Sequence, residues 1–357
     1  MSRLDATELV RRRSQSSLLE QRARDPVDAV TQLFGLQAQD IPAMRLAVRA
    51  RVEGCAERDV RAAIGAPTLV RTWAMRGTLH LIPAADVRWL GRLLGPRLQA
   101  DTAHRRRQLE IPDELCESAL PFLKEVLAAG PLERAAIVAA LAERGFHLTP
   151  GSQAVPHLLS YAAAAGVTCC GPEDTYVLVE GWVPESPKPP KDALAELARR
   201  YLAGHAPAAA EDFAAWSGLP LTQARKGFAA IDTELSWWDS DLGPMATLTT
   251  RSPKPVDSPA VRLLPRYDDY LLGWRDRELI LDPAHRRAIH PGGGTLNAAL
   301  TIDGIVRGTW RLQGRPGKHA LHVTPFAAVT KAERSLIARE VTDIGRFLDE
   351  QVRAEIA

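Results

Sequence analysis

The chain has 357 residues, of which 46% are hydrophobic and 25% are charged, as in soluble globular proteins. This length exceeds one typical core, so we expect two or three structural units. No apolar run is long enough to span a bilayer, and the N-terminus lacks the apolar core of a signal peptide, which predicts a cytoplasmic protein without membrane contact. The four cysteines lack metal-ligand spacing and are expected to be reduced thiols.

The net charge of +2 hides an asymmetry along the chain. Residues 1–110 contain 19 lysines and arginines against 12 acidic residues, whereas the remainder contains 26 against 31. Only seven of the basic residues are lysines, and arginine favours planar, bidentate contact with phosphate or guanine. A GC-rich genome would equally favour arginine over lysine, but it would not place the surplus in the N-terminal part.

The N-terminal part is predicted to form helices and then a hairpin. Three helices are expected, at Ala6–Arg13, Asp28–Leu36 and Glu57–Ile64. After Pro67, β-branched and aromatic residues over Thr68–Ile82, interrupted by Gly77, predict two short strands, and a new helix follows Pro83. Three helices followed by a hairpin is the order of a winged-helix unit.

The next part repeats this order. A helix with Pro131 in its first turn is predicted to end at Gly145, and a second helix follows with Ser152 as its cap. Residues 166–179 alternate as a small β-wing, and the proline-rich residues 186–191 predict a stiff linker.

Residues 192–240 predict three further helices. They are expected at Leu194–Leu202, Ala209–Ser217 and Thr222–Ala230. From residue 243 the pattern changes to strands, with a hairpin turn at Asp303-Gly304. These strands are expected at Val261–Pro265, Leu279–Leu281, Leu300–Trp310 and Ala320–Val323, before a closing helix at Lys331–Glu350.

These patterns predict an α+β fold of three tandem winged-helix units and a C-terminal β-barrel-like region. We expect residues 1–125 to form the first winged-helix unit and residues 126–190 the second unit with its linker. Residues 191–242 would form the third unit, and residues 243–357 the β-barrel-like region with the terminal helix.

Gln37 and Gln39 are two amides placed two residues apart within the otherwise apolar segment Leu33–Asp40. Amides do not titrate, so they are no ordinary acid–base pair. Their carbonyl oxygens can hold a water, and their amino groups can bind a nucleobase or a phosphate. That chemistry suits a reaction whose leaving group is already activated. In the alternative interpretation, both glutamines only hydrogen-bond backbone at a helix end.

Basic side chains in the first predicted wing are candidate DNA contacts. Arg71, Arg76 and His80 alternate with apolar residues, which places several polar groups on one side of the hairpin. Winged helices commonly contact phosphates with such positions, and Arg45 is a further candidate in the same basic part of the chain. In the alternative interpretation, the arginines of the wing pair with acidic residues such as Asp86.

A glycine-rich segment, His290–Thr295, lies between a basic stretch and a predicted strand. Gly292, Gly293 and Gly294 let backbone N–H groups approach a phosphate or a groove closely. The segment lacks the lysine and the strand–loop–helix context of a nucleotide-binding P-loop. A DNA contact through His290 and the glycines and a flexible hairpin tip fit this pattern equally well.

The densest polar and aromatic cluster is Pro265–Arg277, which contains the adjacent Asp268 and Asp269. Neighbouring aspartates usually diverge, so we expect a buried arginine–aspartate network rather than a carboxylate dyad or a metal site. No G-x-S-x-G, H-E-x-x-H or Walker motif occurs, which excludes the commonest hydrolase classes.

Three segments together resemble one known family. They are Gln37-Ala38-Gln39, Arg71–Ile82 and Pro265–Gly273. With its tandem helix-and-hairpin units, the chain is similar over essentially its full length to the AlkZ-like bacterial DNA glycosylases. The resemblance implies that Gln37 and Gln39 are catalytic and that His290–Thr295 is a DNA-probing hairpin. Because neither glutamine is replaced by an acidic residue, the chain resembles the branch that protects antibiotic producers from azinomycin-type crosslinks.

The resemblance implies a monofunctional glycosylase without a cofactor, acting as a monomer on double-stranded DNA that carries alkylated purines. N7-alkylguanine and N3-alkyladenine are cationic and leave with little protonation, so two amides that orient a water and face the developing charge would suffice. No lysine lies near the glutamines, so a Schiff-base lyase step is not expected. For bulky adducts or interstrand crosslinks we expect a DNA-binding cleft between the winged helices instead of complete base flipping. The cytoplasmic protein would be nucleoid-associated when bound to DNA.

Two other classes of protein fit parts of the sequence. A winged-helix transcription regulator would bind a specific operator and release no base. A resistance protein that sequesters a drug would bind that drug without DNA. The Gln-Ala-Gln motif discriminates against the regulator, which has no need of it.

Overall fold

The computed structural model describes residues 3–149, 151–185, 188–250, 260–315 and 317–357. The chain forms two compact units that are interleaved in sequence. Unit 1 comprises Met1–Val60 and Leu194–Ala357, and unit 2 comprises Arg61–Ala193. Within the described ranges, no helix is both long enough and apolar enough to cross a membrane.

The N-terminal part of unit 1 is a series of short helices. Its elements are α1 (Ala6–Ser16), α2 (Pro26–Leu33), β1 (Leu36–Gln37), α3 (Ile41–Arg49) and α4 (Glu57–Gly65), which continues into unit 2. The carboxylates of Asp5, Asp25 and Asp40 each accept a hydrogen bond, at 2.8 or 2.9 Å, from the backbone N–H three residues later. These aspartate caps satisfy N–H groups that a helix leaves free and fix where α1, α2 and α3 begin.

Unit 2 combines long helices with an antiparallel sheet. Its elements are β2 (Leu69–Trp73), β3 (Leu79–Pro83), α5 (Val87–Gln108), α6 (Asp113–Leu127), α7 (Arg134–Glu143), α8 (Ala154–Ala164), β4 (Thr168–Cys170), β5 (Tyr176–Leu178) and the single turn α9 (Val179–Trp182). Within the unit the strand order is β3-β2-β4-β5, with Arg71 opposite both Leu81 and Cys170. Helix α5 packs closely on α8 at Gly95, where a β-carbon would lie 2.2 Å from the carbonyl oxygen of Ala164.

The C-terminal part of unit 1 begins with helices and a hairpin. They are α10 (Ala193–His205), α11 (Ala210–Ser217), α12 (Leu221–Ala230), β6 (Leu235–Trp238) and β7 (Met245–Leu248). The rings of Tyr201, Phe213 and Trp216 are buried and in contact, which ties α10 to α11. In the hairpin, Leu235 lies opposite Leu248.

An open sheet and a long helix complete unit 1. The elements are β8 (Val261–Leu264), α13 (Arg286–Ile289), β9 (Ala299–Ile302), β10 (Ile305–Gln313), β11 (Ala320–Pro325), α14 (Lys331–Leu348) and β12 (Arg353–Ile356). The strand order is β12-β11-β10-β9-β8; β11 and β12 are parallel, and the other neighbouring pairs of this sheet are antiparallel. Asp303 and Gly304 both have positive φ and turn β9 into β10. Helix α14 packs against β8.

The α+β class is confirmed, together with most of the predicted elements. The hairpin β2–β3, the wing β4–β5, the helices of residues 192–240 and the turn at Asp303-Gly304 all form, with shifted ends. The predicted cap of α8 is displaced by one residue: Gln153 occupies the cap position, and Ser152 Oγ accepts a hydrogen bond from the N–H of Ala154 at 3.2 Å. The winged-helix count, the barrel-like form and the four sequence divisions stay predictions. Ser186 and Pro187 of the predicted linker lie outside the described residues.

Some expectations are wrong. Leu279–Leu281 forms a turn instead of a strand, with the N–H groups of Ile280 and Leu281 donating to the carbonyl of Arg277. Pro131 precedes α7, because Leu132 pairs with Tyr176 before the helix begins.

Several elements were not predicted, among them α3, α6 and the hairpin β6–β7. The predicted closing helix is also followed by β12, which pairs with β11.

Candidate active site

The two glutamines lie in a short, closely held segment between α2 and α3. Helix α2 ends at Phe34, which adopts a left-handed conformation (φ 53°) and donates its N–H to the carbonyl of Val30 at 2.9 Å. Gly35 follows with φ 115°, so the chain turns sharply before β1. Gln37 in β1 is buried, with 7% of its surface exposed, whereas Gln39 in the following bend is exposed. One amide is therefore fixed in the protein and the other faces solvent.

Helix α3, which the sequence analysis missed, begins directly after Gln39. Asp40 caps it by accepting a hydrogen bond from the N–H of Ala43 at 2.9 Å, and Pro42 occupies its first turn. Every residue of α3 from Ala43 to Arg49 is buried. The sequence does contain a typical helix start here, because Asp40 is followed by a proline in the first turn.

Two buried arginines anchor the C-terminal end of α3. Arg49 donates to Glu340 at 3.0 Å, to Asp343 at 3.1 Å and to the carbonyl of Leu263 at 2.9 Å. Arg51 makes a bidentate pair with Asp268 at 2.6 and 2.8 Å, and neither side chain is exposed. These pairs connect α3 to α14, to β8 and to the segment after β8, so the helix behind the glutamines is held at both ends.

The second aspartate of the Asp268-Asp269 pair is also engaged. Asp269 Oδ2 lies 2.6 Å from Nε2 of His205, whose Nδ1 lies 3.1 Å from the carbonyl oxygen of Tyr201. The expected buried network is confirmed at Asp268, and the two carboxylates diverge. Among the described residues, no cluster of His, Cys, Asp or Glu has the composition to hold a metal ion.

Arg45, a predicted DNA contact, lies on α3 and is largely buried. Its Nη1 donates to Oε1 of Glu57 at 2.8 Å. The pair stabilises the packing of α3 on the start of α4. Contact with DNA stays a prediction for this arginine.

Arg71, Arg76 and His80 belong to unit 2. Arg71 is buried in β2 and donates to Asp174 at 2.7 Å, so an acidic partner exists, although it is not the expected Asp86. Burial lowers the pKa of Arg71, but the neighbouring ionisable groups, Asp174 among them, outweigh it and leave the pKa raised. His80 is fully buried, with Nδ1 2.9 Å from the carbonyl oxygen of Thr78.

Arg76 differs from the other basic residues of the first wing. It is half-buried in the turn between β2 and β3 and has a left-handed backbone (φ 55°). The hairpin places it at its tip, which is the position from which a wing would reach a DNA backbone. Its role in DNA binding stays a prediction.

The glycine-rich segment is an exposed loop between α13 and β9. Gly292, Gly293 and Gly294 all have positive φ (114°, 60° and 73°), and open space surrounds each position where a β-carbon would lie. Asn297 fixes the base of the loop, with its N–H donating to the carbonyl of Ile289 and its side-chain amide to that of Ala288, both at 2.8 Å.

His290 at the start of this loop is half-buried. Burial lowers its pKa, and the charges of Arg277 and Arg286 lower it further. Both effects favour the neutral form of His290, which offers a hydrogen bond rather than a positive charge.

The cysteines offer no nucleophile. All four are buried free thiols. Burial raises the pKa of Cys55 to about 12 and the pKa of Cys116 to about 11. A thiol that stays protonated at neutral pH is a weak nucleophile.

Comparison with known proteins identifies the family. The chain matches the model described as DNA glycosylase AlkZ-like over residues 30–347 and belongs to that family. The interstrand DNA cross-link repair glycosylase of Streptomyces sahachiroi is 30% identical over 367 residues, which cover 94% of each chain. The structure of Streptomyces sahachiroi DNA glycosylase AlkZ matches with a TM-score of 0.82 at 24% identity, over 99% of this chain and 100% of that chain. The protein is thus a DNA glycosylase, and the regulator interpretation is not favoured.

Proposed function

We propose that this glycosylase hydrolyses the N-glycosidic bond of cationic N7-alkylguanine and N3-alkyladenine in double-stranded DNA, with Gln37 and Gln39 as its catalytic residues. The observation that carries the proposal is the placement of the two amides. Gln37 is buried in β1, and Gln39 is exposed in the bend that leads from β1 to α3. Such a pair can hold one end of a water network in the protein while the other end meets the substrate.

The chemistry needs no strong base. As the C1′–N bond breaks, its electron pair neutralises the cationic purine, and a water forms the new C1′–O bond and loses a proton to solvent. The amide oxygens orient this water and face the positive charge that develops on the sugar. Neutral bases leave less easily, so the enzyme is selective for charged adducts.

The reaction stops at the abasic site. A lyase step requires an amine that forms a Schiff base with the sugar. No lysine occurs among residues 1–123, so none lies close in sequence to the glutamines. The proposed enzyme is monofunctional, acts as a monomer and works in the cytoplasm on the nucleoid.

DNA is held by tandem winged-helix units around a cleft. The proposed contacts are Arg45, Arg71, Arg76, His80, His290, Gly292, Gly293 and Gly294. Arg45 and Arg71 already pair with carboxylates, so part of their positive charge is neutralised within the protein and is not available to DNA phosphates. The exposed glycine loop is the best supported of these contacts, because its backbone is open to an approaching phosphate.

The substrate range extends to bulky adducts and interstrand crosslinks. Support comes from the relative in Streptomyces sahachiroi, whose name states a role in interstrand DNA cross-link repair. An exposed Gln39 also suits a lesion that stays in the duplex, because it lies at the protein surface.

The test is excision from a duplex containing one N7-methylguanine, followed by alkaline cleavage of the abasic site. Wild type releases the base, and Gln37→Ala and Gln39→Ala each lower the single-turnover rate by about 100-fold or more. Gln351→Ala, at an exposed glutamine outside helices and strands, is the matched control and keeps the wild-type rate. If wild type releases no cationic base, the proposed activity is wrong. If Gln37→Ala and Gln39→Ala match the control, the assignment of the catalytic residues is wrong.

A further inference from the structure

Asp40 directly follows the glutamine pair at the entrance to α3. Its backbone is extended (φ −112°, ψ 112°), and its Oδ1 accepts the hydrogen bond from Ala43. The side chain is half-buried, and Oδ2 has no hydrogen-bond partner in the described part of the chain. One carboxylate oxygen therefore caps the helix, while the other is left without a protein donor.

The remaining charges of α3 are compensated. Arg45 pairs with Glu57, and Arg49 pairs with Glu340 and Asp343. The first turn of α3 contains no other acidic residue. Over the described residues, Asp40 is thus the one charge of the α3 segment that no opposite side chain neutralises.

The electrostatics of the helix end make this charge important. The N-terminus of a helix carries about half a positive charge. In the proposed reaction, positive charge develops on the sugar beside Gln39, one residue away from that helix end. An uncharged cap would leave the positive helix end facing a cationic transition state, whereas a carboxylate reverses the sign of the local charge.

We propose that the Asp40 carboxylate supplies the negative charge of this active site. It stabilises the oxocarbenium-like transition state electrostatically, while Gln37 and Gln39 orient the attacking water. This inference rests on the proposed function and deepens it. Many glycosylases have a carboxylate within the catalytic pair itself. Here the carboxylate is Asp40, one residue after Gln39, and it also caps α3.

The charge and the cap are separable by substitution. Asn and Ser cap helices about as well as Asp, so Asp40→Asn and Asp40→Ser remove the charge and retain the cap. Asp25→Asn is a matched control, because Asp25 caps α2 through the same kind of hydrogen bond, accepting from the N–H of Asp28, three residues later, at 2.8 Å. We expect all three variants to keep the wild-type unfolding midpoint in urea.

Two measurements test the proposal. In single-turnover excision of N7-methylguanine, Asp40→Asn and Asp40→Ser lower the rate by about 10- to 100-fold, and Asp25→Asn leaves it unchanged. In binding, we expect wild type to prefer a duplex with a cationic pyrrolidine abasic analogue over one with neutral tetrahydrofuran. Asp40→Asn loses that preference by a similar factor, which a purely structural role for Asp40 would not produce.

The outcomes are distinguishable from failure of the proposed function. If wild type excises the base and Asp40→Asn keeps both its rate and its preference for the cationic analogue, the role of Asp40 is overturned. A loss of rate that tracks a loss of stability, with the analogue preference intact, overturns it as well. If wild type excises nothing, the proposed function fails, and the analogue preference still decides whether Asp40 supplies charge to the site.

Discussion

The glutamine segment and the glycine loop are both polar parts of unit 1, but they are built in opposite ways. Leu36–Asp40 lies between two helices, with Gln37 buried and the following helix anchored by buried ion pairs. His290–Gly294 has three exposed glycines; Asn297 fixes its base, and the N–H of Thr295 donates to the carbonyl of Gly292 at 3.0 Å. The first segment is held by buried neighbours, and the second presents exposed backbone to solvent.

This difference fits the role proposed for each part. A water that attacks C1′ must be held in one orientation, which requires side chains locked by their neighbours. A contact with DNA backbone tolerates variation, because phosphate attraction is weakly directional. We therefore expect substitutions that break the ion pairs of α3 to reduce stability and catalysis. Substitutions in the glycine loop should change mainly DNA affinity.

The largest effect is expected from breaking the buried pair behind the glutamines. Arg51→Met leaves Asp268 buried without its partner, and we expect a loss of about 3–5 kcal/mol in the free energy of unfolding. Urea denaturation measures it. The double variant Arg51→Met/Asp268→Asn should lose clearly less than the sum of the single variants. Additive losses would show that the two side chains are not coupled.

The next effect is a pH dependence at Glu340. Burial raises the pKa of Glu340, but the guanidiniums of Arg49, Arg262 and Arg22 outweigh it and hold the pKa below its usual value. The stabilisation is therefore complete above about pH 4.3, the ordinary glutamate value, and is lost as the pH falls through the lower folded value.

Glu340→Gln isolates that contribution. At pH 7 it should cost about 2–3 kcal/mol, as for other hydrogen bonds to charged groups. Below the ordinary glutamate pKa its stability should fall less steeply than that of wild type, as measured by urea denaturation at several pH values. Parallel pH profiles for the two proteins would contradict the assignment.

A smaller effect is expected in the glycine loop. Gly293 has φ 60° and open space around its β-carbon position, so Gly293→Ala meets backbone strain but no clash. We expect a cost of about 1 kcal/mol in unfolding free energy. Gly91→Ala, in α5 with equally open space and no positive φ, is the control and should be neutral or slightly stabilising. A large loss for Gly293→Ala would show that the loop is as tightly held as the glutamine segment.

The smallest effect concerns charge beside the loop. Arg287 is exposed, and Arg287→Ala should weaken duplex binding without regard to sequence and lower the salt slope of log K by about 1. Excision at saturating DNA should keep its rate. Arg225→Ala, at an arginine held by Glu211 at 2.8 Å, serves as the control. An unchanged salt slope for Arg287→Ala would place this loop away from the DNA.

Local patterns determined much of what this chain forms. The turn at Asp303-Gly304, the capped helices and the β-branched hairpin around Gly77 depend on neighbours in sequence, so they were predictable. The Gln-Ala-Gln motif was visible for the same reason, because two amides in an apolar segment are unusual wherever they fold.

Only the tertiary structure decided which polar groups are free to act. Arg45 and Arg71 belong to the basic surplus of the N-terminal part, yet each is buried against a carboxylate, Glu57 or Asp174, that no local pattern pairs with it. Leu279–Leu281 has the composition of a strand, but hydrogen bonds to Arg277 make it a turn. Burial and ion pairing depend on residues distant in sequence. The sequence alone therefore determined which reactive and charged side chains the protein has, and the fold determined which of them stay exposed.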